Sequence, residues 1–396
     1  MNYANDVHAA GFKVPKSIGE LRKYLQAALE VEHLTIPVYM TGMYTIRPGT
    51  NRTAYYTIRS VLLEEMLHMT LVANLLNAVG GTAQVAHPKF IGKYPVQLPM
   101  SSHELKPIGL QHFSPKALET FLTIERPRSF HTEADEGSGW TSIGQFYATV
   151  EEGLIALVDE HGEQNVFTGD PHEQVGPEDF YNSGGEVFAI KNLSDAKIAL
   201  EVISEQGEGA HGSIWDSDDQ LFGQEHQLAH YFRFNEIATG RHYSPSDAPN
   251  RPPSGPLLDV TWEDVYRIKG DSTVADYKKY KDKSAVHAKA VEFNETYATL
   301  LKCIERAFHG EPRKMALAVP IMLKLRDLAE QLFRNPHPDP EYARHGYCAG
   351  PTFEITESQL ARAKTRVDDH VTAASLETGR PVDLSGLTAD ASGQFA

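Results

Sequence analysis

The chain reads as a mainly α-helical protein: a four-helix bundle with a long crossover, followed by a C-terminal helical region. Three observations predict this. Apolar residues recur at helical spacing in four long segments before residue 243. A Pro-containing connection, 82–140, separates the second and third of them, as a bundle needs when those helices run parallel. A Pro-rich stretch, "SPSDAPNRPPSGP" at 244–256, then precedes two further amphipathic segments. The expected organisation is therefore a helical bundle over 1–243, a linker over 244–256, and a helical region with a disordered tail over 257–396.

The first helix is expected from about Ser17 to Tyr44. Ser17 and Glu20 form an S-x-x-E capping pattern, and Leu21, Leu25, Ala28, Glu32, Ile36 and Tyr39 share one stripe. Pro37 should kink it. The second runs from about Thr53 to Val79 and stops at Gly80-Gly81. A short helix is expected in "SPKALETFLTIE" within the crossover. The third is "SIGQFYATVEEGLIALVDEHG". A loop that includes a short strand follows, "TGDPHEQVGPEDFYNSGGEVFAI". The fourth is "DAKIALEVISEQGEG", interrupted by "GEGAHGSIWDSDDQ" and resumed in "FGQEHQLAHYFRFNEIATG". Beyond the linker, "SAVHAKAVEFNETYATLLKCIERAFHG" and "PRKMALAVPIMLKLRDLAEQLFRN" predict a helical hairpin. The small, polar residues after Asp383 predict disorder.

Composition narrows the function. The 396 residues are 41% hydrophobic, enough for a sizeable core, and 53 acidic against 37 basic residues give a formal net charge of −16. Such a surface repels phosphate backbones, so no nucleic-acid partner is expected. Two cysteines, Cys303 and Cys348, make neither a disulfide framework nor a thiolate-rich metal site. No apolar run reaches membrane-spanning length, and "MNYANDVHAAGFKVPKS" has no signal-peptide stretch. The expectation is a cytoplasmic protein with a small-molecule partner, no membrane partner, and room for homo-oligomer formation.

The second helix holds the chemistry. In "LLEEMLHMTLVANLLNAVGG", Glu65 and His68 fall on the apolar stripe with Val61, Val72, Leu75 and Val79. A carboxylate and an imidazole buried one turn apart are costly without a partner. Glu-x-x-His is the spacing of di-iron carboxylate bundles, in which carboxylates bridge and neutralise the ions and His adds a neutral nitrogen. By itself the motif is common; inward acids on the other helices strengthen it. Glu32 lies among Leu25, Ala28, Leu29, Ile36 and Tyr39 on the first helix, whereas Glu30 reads as solvated. On the third helix Glu151 borders the apolar face and Glu152 points further away. On the fourth, the candidates are Glu205 and Glu208, followed by His211, His226 and His230. His230 is preferred to His211, because His211 lies in a Gly-rich segment that would hold it loosely.

These segments together resemble the ferritin-like proteins related to iminophenyl-pyruvate dimer synthase. The resemblance is carried by "EVEHLTIPVYMTGMYTI", "LLEEMLHMTLVANLLNAVGG", "HFSPKALETFLTIERP", "SIGQFYATVEEGL", "EVISEQGEGA", "AHYFRFNEI" and the late "AGPTFEI". It implies a ferritin-like bundle with a non-haem iron site, probed most simply as a di-iron centre, with manganese as the other candidate metal. By residue it supports Glu32, Glu65, His68, Glu208 and His230, and it leaves Glu151 against Glu152 open. The expected ligand set is thus Glu32, Glu65, His68, Glu151, Glu208 and His230. The implied activity is oxidoreductase chemistry of secondary metabolism on a small aromatic or amino-acid-derived molecule such as an imine. An iron-storage protein is the alternative; the long crossover, the broken fourth helix and the C-terminal region weigh against it. Tyr39, Met43, Tyr147, Phe232 and Phe234 are candidates to line a substrate pocket, and "GEGAHGSIWDSDDQ" is a candidate gate.

Overall fold

A computed structural model describes residues 11–130, 139–180, 185–210 and 212–378. Four helices form the bundle: α1 (Ile18–Tyr44), α2 (Arg52–Ala78), α4 (Ile143–His161) and α5 (Leu193–Glu208). The crossover carries α3 (Pro115–Ile124), and α6 (His230–Thr239) follows the interruption after α5. Beyond the Pro-rich stretch come α7 (Val286–Ala307), α8 (Met315–Phe333) and α9 (Glu357–Thr378). Several shorter helical turns lie between these elements.

The starts of the helices are set by small polar caps. Ser17, Ser114, Ser142 and Asn192 each accept the backbone N–H three residues on. The S-x-x-E pattern at 17–20 is half realised: Glu20 turns its carboxylate to the N–H of Lys16 instead of that of Ser17. Helix α1 runs unbroken through Pro37. Its end and that of α2 are tied by short-range bonds, and Gly80, at φ +70°, and Gly81 close α2 on the carbonyls of Asn77 and Leu76.

In the bundle, α1 packs on α2, α4 on α5, α1 on α4 and α2 on α5. The crossover helix α3 packs against α6, which also touches α2 and α5. That pairing places two segments from outside the four long helices against the bundle. One hydrophobic core continues from the bundle into α7 and α8, through residues such as Leu21, Leu29, Phe90, Tyr297 and Leu301. His33 of α1 bonds the Tyr297 hydroxyl of α7 within this shared core. We propose that 244–256 still marks the joint between two folding units.

Three expectations are corrected. The segment 222–240 is helical only from His230 on. Its first part pairs with 214–216 instead, through Asp216 N–H to Gln227 O, Ala229 N–H to Ile214 O, and a Trp215–Leu228 bridge. No strand forms in the described part of 168–190. The loop is held instead by side-chain amides: Asn74 bonds both backbone groups of Val175, and Gln174 bonds both of Ile190. Helix α9 was not anticipated; Leu360, Ala363 and Val367 are buried on one of its faces. The expected disordered tail lies outside the described residues. Among the described residues, no helix is long and apolar enough to cross a membrane.

Candidate metal centre

Five buried side chains converge inside the bundle. Glu32 comes from the middle of α1, and Glu65 and His68 from one face of α2. Glu125 is the residue that caps the end of α3, and His230 is the first residue of α6. All five are at most 3% exposed. Their ligand-type atoms form two groups, Glu32–Glu65–His68 and Glu65–Glu125–His230, with Glu65 common to both. Nδ1 of His68 lies 3.4 Å from Glu32 Oε2 and 3.9 Å from Glu65 Oε1. Nδ1 of His230 lies 3.2 Å from Glu65 Oε1 and 3.4 Å from Glu125 Oε2. The two imidazoles are stacked 5.4 Å apart.

Each of these groups is oriented from behind. The Tyr147 hydroxyl of α4 donates to Glu32, and the Tyr39 hydroxyl to Glu125. Thr35 donates to Glu65 Oε2 at 2.7 Å. His68 Nε2 meets Gln206 Oε1 at 2.6 Å, and His230 Nε2 meets Glu64 Oε2 at 2.7 Å. Arg233 in turn donates to both oxygens of Glu64, at 2.9 and 2.8 Å. Metal-binding histidines are held in this way, with one nitrogen fixed by an outer partner and the other turned inward.

The electrostatics describe a cluster short of positive charge. Burial, and then the charge of Glu125, push the Glu65 carboxyl up to about 7. Burial works against charging His68 and His230, yet the carboxylates around them, Glu32 for the first and Glu125 for the second, raise both above the usual imidazole range. Glu64 is also pushed up by burial, but Arg233 and His230 outweigh that and bring it down to about 2. Burial first, then the neighbouring carboxylates, keep Tyr39 and Tyr147 protonated as donors.

A metal fits this donor set. Nδ1 of His230 is fully buried, has no hydrogen-bond partner, and points at two carboxylates. An orphaned buried nitrogen of this kind asks for a ligand. Carboxylate and imidazole donors without thiolate suit iron or manganese better than a soft thiophilic ion.

The structure brings Glu32, Glu65, His68 and His230 together and leaves two expected residues out of the groups. Glu151 is turned away: Tyr147 fills the inward position of α4, and the Glu151 carboxylate, about a third exposed, pairs with Lys197 at 3.8 Å. Glu152 is exposed. Glu208 borders the small cavity beside the cluster, but its oxygens accept the backbone N–H groups of Gly144 and Arg128, at 2.7 and 2.8 Å. It serves the N-terminus of α4, where a negative charge is favoured. Glu30, expected in solvent, is 5% exposed, and burial pushes its carboxyl up to about 8. His211 lies outside the described residues. His226 stacks on Trp215, away from the described cluster residues.

Glu125 was missed. Its signal was available: Leu118, Phe121 and Glu125 follow helical spacing, and Leu118 and Phe121 are buried. The cavity is lined by Ile143, Ile203, Ser204 and Gly207 besides the acids and His68, with no aromatic wall. Of the expected pocket residues, Tyr39 and Tyr147 act through their hydroxyls, while Phe232 belongs to a separate cluster with Ile214 and Tyr243. Within the expected gate, Ile214, Asp216, Ser217 and Asp218 are buried.

Comparison with known proteins agrees with this architecture. Dichlorochromopyrrolate synthase of Lentzea aerocolonigenes is 24% identical over an alignment that takes in 76% of this chain and 30% of that protein. The chain thus spans about a third of the length of this relative. The crystal structure of a ferritin like protein from Caulobacter vibrioides superposes with a TM-score of 0.53 at 21% identity, covering 79% of this chain and 96% of the other. At that identity the likeness shows the fold. The ferritin-like family model matches residues 25–239, just over half of the chain, and the chain belongs to the ferritin-like family.

Proposed function

We propose that this chain is a non-haem metal-dependent oxidoreductase of secondary metabolism, with two iron ions held by Glu32, Glu65, His68, Glu125 and His230. The observation that carries the reading is the pair of acid–histidine groups sharing Glu65, closed off from solvent and backed by Tyr39, Tyr147, Gln206 and Glu64. Glu65, common to both groups, would serve both ions, and Glu125 rather than Glu151 would complete the donor set. Glu208 stands at the rim. Iron held there supplies redox chemistry and open coordination positions. The chain's own part is to orient the donors through the tyrosine hydroxyls and the outer amide and carboxylate, and to exclude water with Ile143 and Ile203.

The substrate is a small aromatic or amino-acid-derived molecule, such as an imine. The resemblance to iminophenyl-pyruvate dimer synthase and the relative named for dichlorochromopyrrolate synthesis support this class. The test is anaerobic loading with ferrous iron, metal analysis, and oxygen uptake with and without a panel of aromatic amino acids and their imines. One or two irons per chain and substrate-dependent oxygen use are expected. Many irons per chain, with ferric mineral as the sole product, would establish storage instead.

A further inference from the structure

His68 and His230 both turn Nδ1 to the cluster and Nε2 away from it, but their outer partners differ in kind. Glu64, which meets His230, presents only carboxylate oxygens, and both of them already accept from Arg233. Gln206, which meets His68, is an amide, and an amide can present a carbonyl or an NH2 group. An NH2 group facing His68 would require a lone pair on Nε2. The proton would then sit on Nδ1, the nitrogen that faces Glu32 and Glu65.

The other end of the amide decides between these arrangements. Gln206 Nε2 donates to Asp218 Oδ2 at 2.6 Å, so the NH2 end of the amide is engaged by Asp218 and its carbonyl is the end that faces His68. Gln206 is 1% exposed and Asp218 2%. The backbone of Gly185 presses on the same amide: at φ +127°, a Cβ there would lie 3.0 Å from Gln206 Nε2 and 2.6 Å from the Leu67 side chain. We propose that Asp218, acting through Gln206, is a positioning residue that keeps the Nε2 proton on His68 and thereby makes Nδ1 its metal-binding nitrogen. This rests on the metal reading above. It also gives buried Asp218, carried on the interruption between α5 and α6, a role at the site without contact to the reacting groups.

The test compares the full-length wild type with Asp218→Ala, Asp218→Asn, Gln206→Leu and the double variant Gln206→Leu/Asp218→Ala. Cobalt(II) is the probe, titrated by its visible absorption. The second readout is the slowly exchanging Nε2 proton of His68, followed by NMR in the metal-free protein. Asp218→Ala and Gln206→Leu should each weaken cobalt binding about 10- to 100-fold, the usual effect of losing an outer partner of a ligand. Asp218→Asn, whose carbonyl can still accept, should fall between wild type and Asp218→Ala. The double variant should bind no more weakly than Gln206→Leu, because Asp218 acts only through the amide. The Nε2 proton signal should disappear or exchange rapidly in Asp218→Ala. Unchanged cobalt affinity and an intact signal in Asp218→Ala, or additive losses in the double variant, overturn the proposal. If Gln206→Leu does not fold, the two Asp218 variants decide the matter. If the wild type binds no cobalt, the metal reading falls; the orientation of His68 is then judged by the NMR signal alone, its loss in Asp218→Ala supporting the device and its persistence refuting it.

Discussion

Glu125→Gln and Glu151→Gln should separate cleanly once metal is added. Glu125 Oε2 lies 3.4 Å from the orphaned Nδ1 of His230, and its charge is the strongest of those that push Glu65 up to about 7. Without metal, the substitution removes a buried negative charge from an acid-rich cluster and still leaves a carbonyl to accept from Tyr39. The metal-free variant should therefore be at least as stable as the wild type. With metal at about 1,000 times its dissociation constant, the wild type gains about 4 kcal/mol. A roughly 100-fold loss of affinity leaves about 1.4 kcal/mol of that, so the variant should be about 2.7 kcal/mol less responsive. Glu151→Gln should change neither state appreciably, because it removes only a partly exposed pair with Lys197, worth about 0–1 kcal/mol. Calorimetric unfolding with and without ferrous or manganous ion, under anaerobic conditions, measures both. A Glu151→Gln protein that loses its metal response while Glu125→Gln keeps it would refute the assignment.

Asn74→Ala strips the partners from the buried N–H and C=O of Val175 and one partner from the C=O of Phe188; it should cost about 2–4 kcal/mol in urea unfolding. Gly42→Ala places a Cβ 2.7 Å from the Phe121 ring, where α1 meets α3; a loss of about 1–3 kcal/mol and weaker metal binding through a displaced Glu125 are expected. Burial, only partly offset by Arg233 and reinforced by Asp218, pushes Asp216 up to about 7, well above its unfolded range. Its protonated form is thus favoured by the fold, a contribution that is complete in acid and is lost as pH rises through 7. Asp216→Asn should accordingly gain on the wild type in unfolding free energy between pH 5 and pH 8; a difference that stays flat or moves the other way counts against the buried, unrelieved carboxylate.

The helices were legible wherever the apolar stripe was long. Helices α1, α2, α4 and α5 lie within a residue or two of their expected ends, helped in α1 and α2 by Ser17 and the Gly80-Gly81 pair as local signals. Glu65 and His68 were legible for the same reason, as polar residues on a stripe that has to be buried. What escaped were decisions made between elements. Whether Glu151 or Tyr147 occupies the inward edge of α4 depends on what α1 presents there, and Glu32 selects the phenol. Glu208 has the right spacing for a ligand, but the open N–H of Gly144 across the bundle captures it. Glu125 sits at the end of a ten-residue helix, where periodicity has little length to act on. Glu30 shares a helix face with Lys23 and Gln26 in sequence, yet at Gln26 and Glu30 that face is covered in three dimensions.

The origin of the five donors bears on what the cluster is for. Three come from α1 and α2, which pack closely on each other. The other two come from the crossover and from the segment after the interruption, whose helices α3 and α6 pack on each other and on the bundle. The ring contacts that join them, Phe121 with Phe234 and both with Tyr39, lie directly behind Glu125. Completing the second acid–histidine group therefore requires that the non-bundle segments be docked, and docking them is also what closes the space above Glu65. A storage bundle gains nothing from coupling its donors to its enclosure in this way, since ions must keep passing through. A centre that handles one small molecule at a time does gain, because the full donor set is then present only when bulk water is kept out.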